Sequence, residues 1–351
     1  MGRYILRRLL YMIAVLIVVS IITFGLMHAV PGGPFDKEKP LPKEIIANLE
    51  RRYHLDQPLY IQYLQYMKAI LVPRISTEKF PNTIDDDALF KFKVGKHYVH
   101  WINFGPSYSS RSRTVNDMLR DQLPISMQLG FLAFVVAVFI GMPLGIIAAL
   151  KQNTWLDYTS MTLAIFGVSV PVIVLGPILV WIFGVTLRWL PVTGWGAKPP
   201  FTLGFFPKKL DWSFWQYAIM PMFALGLSSS ASIARLTRAS LLQVVREDYI
   251  RTARAKGLRE GLITTRHALK NALIPVVTIL GPMFASLLTG TFVTETIFGI
   301  PGMGRYFVNS ITNRDYPVIM GTVLIYAIFL VFCNLIVDLV YGALDPRIRY
   351  E

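Results

Sequence analysis

Cysteine is almost absent: Cys333 is the single thiol among 351 residues. An intrachain disulfide is therefore impossible, and a thiol metal site has no ligands to build on. Charge is also scarce, at 16% of residues, whereas soluble domains carry roughly 25%. Such a chain is too poor in charge to present an ordinary wet surface. Chemistry-bearing motifs are missing as well. Gly95-Lys-His is the nearest approach to a phosphate loop, and it lacks the upstream glycine and the following Ser or Thr. No metalloprotease helix pattern, no Gly-x-Ser-x-Gly and no pair of mid-span aspartates occurs. Catalytic residues and metal ligands are accordingly expected to be none, with no cofactor held by this chain. A hydrolase built from residues that meet only in space stays open at this point.

What the chain has is apolar length. Hydrophobic residues make up 54%, and several uninterrupted runs approach the ~20 residues that span ~30 Å of hydrocarbon as a helix. The expected class is an all-α polytopic membrane protein. Six transmembrane helices are expected, near residues 9–30, 125–150, 158–187, 217–235, 273–294 and 318–341. The fourth is the weakest, thinned by Ser228-Ser-Ser and Arg235. A cleaved signal peptide would carry an apolar core of about 7–15 residues. The first run is longer and closes in His28-Ala-Val-Pro-Gly-Gly-Pro, which favours a retained span. Prolines 143, 171, 177, 221, 275 and 282 fall in or beside spans, as bundled helices tolerate.

The net charge of +14 does not require nucleic acid. With the N-terminus inside, the short inner segments hold 15 Lys and Arg, against six in the two shorter outer loops. That is the positive-inside bias, and it places both termini in the cytoplasm of a multi-pass cell-membrane protein. Three regions follow: residues 1–30 with the first span, an extracytoplasmic lobe at 31–123, and a core at 124–351 with a cytoplasmic loop at 236–272. The lobe carries 14 Lys and Arg, but loops longer than about 60 residues escape the charge rule.

The loop between the fourth and fifth spans holds the most informative stretch, Tyr249-Ile-Arg-Thr-Ala-Arg-Ala-Lys-Gly-Leu-Arg-Glu and then His267-Ala-Leu-Lys-Asn-Ala-Leu-Ile-Pro275. It reads as two short helices broken at Gly257, since glycine takes the left-handed conformation required past a helix end. Arg254 and Lys256 suit the negative end of that helix dipole. Small Ala253 and Ala255 suit close approach to another protein's groove. Composition alone favours an amphipathic helix lying on anionic lipid over a protein-docking element.

This loop resembles the cytoplasmic signature of ATP-binding-cassette importer permeases: Glu-Ala-Ala, three residues, Gly, nine residues, then Ile-x-Leu-Pro. Ala253, Gly257 and Leu269 match. Arg251, Thr252, His267 and Lys270 stand in place of the glutamate, first alanine, isoleucine and proline. Those departures resemble the oligopeptide/dipeptide/nickel branch, as does Asn271-Ala-Leu-Ile-Pro275. Further stretches resemble the same branch: Arg7-Arg-Leu-Leu, Val30-Pro-Gly-Gly-Pro, Thr114-Val with Leu123-Pro-Ile-Ser-Met-Gln-Leu-Gly, Glu295-Thr-Ile-Phe-Gly-Ile-Pro-Gly-Met-Gly-Arg305, Arg314-Asp-Tyr-Pro317 and Leu344-Asp-Pro-Arg-Ile348. Most of the chain is covered, residues 72–100 excepted.

The resemblance implies a type I importer permease fold and the transport of peptides or related solutes. Partners implied are a second homologous permease, two ATPase subunits carrying ATP and Mg, and an extracytoplasmic solute-binding protein, all around a lipid bilayer. It implies coupling to the ATPases through Arg251, Thr252, Ala253, Arg254, Ala255, Lys256, Gly257, Leu269, Asn271 and Pro275. The competing reading is a secondary transporter or channel acting alone, which calls for an ion-coupling residue at mid-depth and often broken helices in paired repeats. Neither is evident, and no repeat of about 20–50 residues is present.

In the fifth span, Ser286, Thr289 and Gly290 recur with Val293 at helical spacing and either line a solute path or pack helices. Gly281-x-x-x-Ala285 leans to packing. Glu295 and Asp338 lie near span ends, where interfacial water is expected to reach them. His28 reads as a capping or interfacial residue. His97-Tyr-Val-His100 and Asp85-Asp-Asp are isolated polar clusters in the lobe.

Overall fold

The computed structural model describes residues 2–35, 42–81, 83–84, 86–110, 112–202 and 204–344. Asp85 and the Asp345–Ile348 part of the C-terminal motif lie outside the described residues. The chain forms two units: Met1–Leu10 with Ile125–Pro301 and Phe329–Glu351, and Tyr11–Pro124 with Gly302–Ile328.

The first unit holds most of the long apolar helices together with the short polar ones between them. These are α4 (Val115–Leu150), α5 (Trp155–Ser169), α6 (Val172–Leu179, continued by a π-helical stretch Val180–Thr186), α7 (Trp212–Val245), α8 (Asp248–Ala255), α9 (Glu260–Leu262, continued by a π stretch Ile263–Ala268), α10 (Leu269–Leu288) and α11 (Phe292–Ile297). The ends of α1 (Gly2–Ala29) and α13 (Tyr316–Leu344) join them. Five described helices are long and apolar enough to cross a membrane, and a sixth crossing needs α5 and α6 together. That pair is not the single straight span expected over 158–187, because the two helices meet at 96°. The cause is local: Pro171 holds Val170 in an extended conformation, φ −98° and ψ 107°, as the residue before proline must be.

The fourth span is also longer than expected. α7 runs to Val245, ten residues past Arg235, so the first part of the 236–272 loop is helix. Its thin apolar character has a packing reason: 56% of its most apolar stretch is buried, against 6% for α1. Small residues let neighbours approach its backbone. A Cβ on Gly141 would stand 2.5 Å from Ser230 O, and one on Gly145 2.5 Å from Ala234 O. This is the small-xxx-small contact of membrane helices. Arg238 completes the join, donating Nε and Nη2 to the two Asp157 oxygens at 2.8 and 2.7 Å. Asp157 is buried and also accepts from Asn153 N at 3.0 Å.

The second unit shows that the chain is not all-α. Besides α2 (Lys43–Arg52), α3 (Leu59–Leu71) and α12 (Met303–Thr312) it holds three antiparallel strands. They are β1 (Arg74–Ser76), β2 (Phe90–Val94) and β3 (His97–Trp101), in the order β1-β3-β2. Phe90 pairs with Trp101 and Val94 with His97 across a two-residue turn whose Gly95 has φ +59°, where hairpin turns favour glycine. The Gly95-Lys96 pair is thus a hairpin turn. Alternating Phe90-Lys-Phe-Lys-Val had the period of a strand. The first ten residues of α4, Val115–Pro124, belong to this unit, so helix begins inside the stretch read as lobe. Thr114 and Asp117 cap it reciprocally: Asp117 N donates to Thr114 Oγ1 at 3.0 Å and Thr114 N to Asp117 Oδ2 at 3.2 Å.

Asp87 ties the sheet to this cap. It accepts from Lys91 Nζ at 2.7 Å, Thr114 Oγ1 at 2.6 Å and Arg120 Nη2 at 3.1 Å. Burial alone would raise its pKa, but the Lys91, Thr114 and Arg120 contacts outweigh it and bring the carboxyl from 3.8 to about 2. A depressed folded pKa gives stability that is complete above the unfolded value and lost as pH falls through the folded one. The lobe should therefore loosen as pH drops from about 4 towards 2, followed by the fluorescence of Trp101. Asp87→Asn should abolish that acid transition while lowering stability at neutral pH. For the helix join, Asp157→Asn should destabilise the purified chain by roughly 2–4 kcal/mol, because it leaves a half-buried guanidinium without its carboxylate. Arg238→Gln added to it should recover part of the loss in thermal unfolding, as coupled partners do.

Candidate functional site

α8 is an eight-residue helix, too short to be stable alone in water. Its conformation is imposed by one apolar edge, Ile250 and Ala253, at helical spacing i, i+3. Both are buried with Ala149 of α4, Leu241 of α7, Ile263 and Ala268 of the π stretch and Ala272 of α10. Leu269 packs at the margin of that cluster. Ala253 therefore faces the chain's own core and does not offer a close-approach surface to a partner. Ala255 is exposed, as are Arg251, Thr252, Arg254 and Lys256.

The helix ends as a Schellman turn. Gly257 has φ +76°, Gly257 N donates to Arg254 O at 2.9 Å, and Leu258 N donates to Ala253 O at 3.3 Å. A Cβ on Gly257 would meet nothing within 4 Å, so only backbone conformation demands glycine here. Beyond it, Arg254 Nε and Nη2 reach Glu260 Oε1 and Oε2 at 2.7 and 3.3 Å. The contact holds Glu260 below and Arg254 above its ordinary pKa. Both side chains are exposed, so the bridge fixes the turn's geometry more than it adds stability. Glu260 also opens α9, where the helix dipole favours an acid.

The far side of the elbow is tied back. Asn271 Nδ2 donates to Tyr249 OH at 2.8 Å, and Arg251 Nη1 reaches Asp248 Oδ1 at 3.3 Å. Pro275 lies inside α10, where its missing N–H leaves Asn271 O without its helical donor. Every residue from Arg254 to Leu262 is exposed. Within that run stand Leu258 and Leu262, each 37% exposed and four residues apart. The sequence reading passed over both, although two leucines at i, i+4 in a polar tract are a signal. Beside α8, a cleft is lined by Leu242, Gln243, Arg246, Glu247 and Asp248.

The other candidates separate. Ser286 and Thr289 stand on the last turn of α10, with hydroxyls turned back to Met283 O at 2.8 Å and to Ala285 O at 3.3 Å. Gly290 does not share their face. The helix stops at Leu288 and Gly290 has φ +104°, which a helix cannot hold. Gly281 packs on α13, where a Cβ would meet Val337 Cγ2 at 2.6 Å. Glu295 is not open to interfacial water: it is fully buried and accepts from Ser126 Oγ at 2.7 Å. Asp338 is paired with Arg8 at 2.8 Å. In the lobe, His100 Nδ1 is 3.0 Å from Asp86 O. No cluster of three metal-ligating side chains occurs among the described residues.

A bundle of long apolar helices joined through an exposed, glycine-broken basic elbow defines a polytopic membrane protein. The family described as binding-protein-dependent transport system inner membrane component matches residues 141–350, and its N-terminal component matches residues 1–83. The chain belongs to this family of transport-system membrane components. It is 42% identical over 349 residues to the dipeptide transport system permease protein of Bacillus subtilis strain 168, covering 99% of this chain and 98% of that protein. It is 42% identical over 350 residues to the oligopeptide transport system permease protein of Salmonella typhimurium strain LT2, covering 100% of each. Among solved structures, an inward-facing MetNI methionine ABC transporter matches with TM-score 0.47 at 17% identity, over 64% of this chain and 94% of that one.

Forcing a side chain into the left-handed region costs about 1–2 kcal/mol. Gly257→Ala should therefore weaken the turn by about that amount, and Gly257→Val by more, since β-branched residues resist positive φ. Hydrogen exchange at Leu258 N should rise in that order while the buried α7 amides stay protected.

Proposed function

We propose that this chain is a membrane-spanning permease of a peptide importer powered by separate ATPase subunits. The observation that carries the proposal is the elbow: one edge of α8 is seated in the chain's own helices, while Arg254–Leu262 is left exposed. The full-length similarity to dipeptide and oligopeptide permeases supports the solute class. Family membership also sets this reading above that of a lone secondary transporter.

In this reading the termini and the elbow face the cytoplasm, and the lobe faces outward, where a solute-binding protein delivers peptide. A second, homologous permease completes the pathway, and two ATPases hold ATP and Mg. Closure of the ATPases presses on Arg251, Thr252, Arg254, Ala255 and Lys256. Gly257 fixes the angle at which Leu258 and Leu262 meet the partner. Because Ile250 and Ala253 abut α4, α7 and α10, the push is passed to helices that cross the membrane. Ser286 and Thr289, at the C-terminal end of α10, are the polar groups offered to the path.

The test is reconstitution with and without the ATPases, following labelled di- and oligopeptides. Uptake should require ATP hydrolysis; accumulation by this chain alone, driven by a solute gradient, would overturn the reading. Leu258→Glu with Leu262→Glu should cut ATPase co-purification at least tenfold without changing membrane insertion. The exposed lobe substitution Leu71→Glu should leave co-purification intact.

A further inference from the structure

The three-stranded sheet of the second unit has two unlike faces. The register sets Phe90 beside Trp101, and both Phe92 and Ile75 beside Val99; residues so paired share a face. Phe90, Phe92 and Val94 of β2, Trp101 of β3 and Ile75 of β1 therefore point one way. Arg74, Lys91, Lys93, Tyr98 and His100 point the other. The described chain closes this second face. There the His100 ring stacks on Phe80 at 4.1 Å between centroids, Arg74 Nη1 reaches Asp86 Oδ1 at 3.0 Å and Lys91 Nζ reaches Asp87 Oδ1 at 2.7 Å. On the first face Val99 is buried beneath its neighbours, but the five large side chains around it are exposed, from 41% at Trp101 to 63% at Ile75. Leu71 and Val72, at the end of α3, are exposed as well, and Trp101 Nε1 donates to Leu71 O at 3.3 Å. A contiguous apolar patch of this kind marks an interaction surface.

The depth of the patch follows from the helices it adjoins. α1 ends and α13 begins at one level, since the His28 and Tyr316 rings lie 4.9 Å apart. The apolar span that starts at Tyr316 runs for 27 residues, about 40 Å, enough to cover hydrocarbon and most of both headgroup layers. Its first turns therefore stand among headgroups. A Cβ on Gly321 would meet Val115 Cγ1 at 2.7 Å and Phe104 Cδ1 at 3.4 Å, and Gly321 lies about 7.5 Å along α13 from Tyr316. Beside Val115, Asn116 Nδ2 donates to Ile102 O at 3.4 Å, and Leu89 N donates to the same oxygen at 2.7 Å. Phe90 and Trp101 form the next rung of the ladder. This end of the sheet thus stands at the depth of the first turns of α13. Trp is enriched at that level of a bilayer, where its ring is in apolar surroundings and its N–H finds a partner.

We propose that the apolar face of this sheet lies in the membrane interface, with Ile75, Phe90, Phe92, Val94 and Trp101 set between lipid headgroups and the upper acyl chains. An amphipathic element with aromatic side chains on one face and basic ones on the other lies in the plane of a bilayer surface. Residues 90–97 hold three lysines and no acid, a charge that anionic headgroups attract. Lys91 and Lys93 stay on the watery side. A docked protein would also cover apolar side chains, but would not require them at the level of the span ends. The hairpin is then a second attachment to the bilayer beside the spans, and it sets how far the lobe stands from the lipid surface. The assignment holds whichever side of the membrane the lobe occupies and does not rest on the transport reading.

The test is a spin-label depth measurement on the full-length chain in nanodiscs of phosphatidylethanolamine and phosphatidylglycerol. Single nitroxides are placed by Phe92→Cys, Val94→Cys and, on the reverse face, Lys93→Cys. The native chain, whose Cys333 is buried, gives the background. Oxygen enters hydrocarbon and a polar nickel chelate does not, so the ratio of oxygen to chelate relaxation should be about tenfold higher for Phe92→Cys and Val94→Cys than for Lys93→Cys. Ile75→Cys supplies a further site on the apolar face should a β2 variant fail to insert. Equal ratios on the two faces, a higher ratio for Lys93→Cys, or apolar-face labels shielded from both reagents, as a docked protein would shield them, would overturn the proposal.

Discussion

The burial of Ile250 and Ala253 is the contact on which the elbow depends. Eight residues of helix have little stability of their own, and the exposed ion pair from Arg254 to Glu260 adds little. What holds α8 is apolar contact with Ala149, Leu241, Ile263, Ala268 and Ala272. Alanine dominates that list, so the helices stand close and a shift of α8 finds little slack before it moves its neighbours. Close-packed interiors transmit displacement. A short helix set against three long ones is therefore a mechanical contact, whatever presses on its outer face.

The apolar runs made the helices legible, and Gly257 was legible because one residue type answers one backbone requirement. The orientation of α8 was readable in principle. Ile250 is its only large apolar residue after Tyr249, and Ala253 lies three positions on, so that edge had to turn inward. Small size alone misled, because alanine suits a crowded core as well as a partner's groove. The bend at Val170–Pro171 was hidden for a different reason. Proline recurs throughout these spans, and Pro221 lies inside a continuous α7 whereas Pro171 begins a new helix. The sheet left only one signal, the period of two in Phe90-Lys-Phe-Lys-Val. The pairing of Asp157 with Arg238 had no local signal, being set by how α5 packs on α7 across 81 positions.

Several sequence motifs turn out to be local solutions to backbone problems. In Glu295-Thr-Ile-Phe-Gly-Ile, Gly299 has φ +60° and Ile300 N donates to Glu295 O at 2.8 Å, the same helix stop as at Gly257. In Arg314-Asp-Tyr-Pro, Arg314 has φ +53° and its Nη1 reaches Gly33 O at 3.3 Å. Asp315 meanwhile gathers the hydroxyls and amides of Ser107–Ser109. The motif links the approach to α13 with the Pro-Gly-Gly-Pro turn and with the segment before α4, all within one unit.

The same accounting applies to the acidic groups of the apolar helices. A carboxylate in hydrocarbon is costly and often functional, so each raises the question of ion coupling. Asp157 is held by Arg238, Asp338 by Arg8 and Glu295 by Ser126. Each holds one helix against another segment of the chain. A group that must take up and release a proton during transport would have to break such a contact in every cycle, and the helix packing with it. Their placement is that of structural anchors.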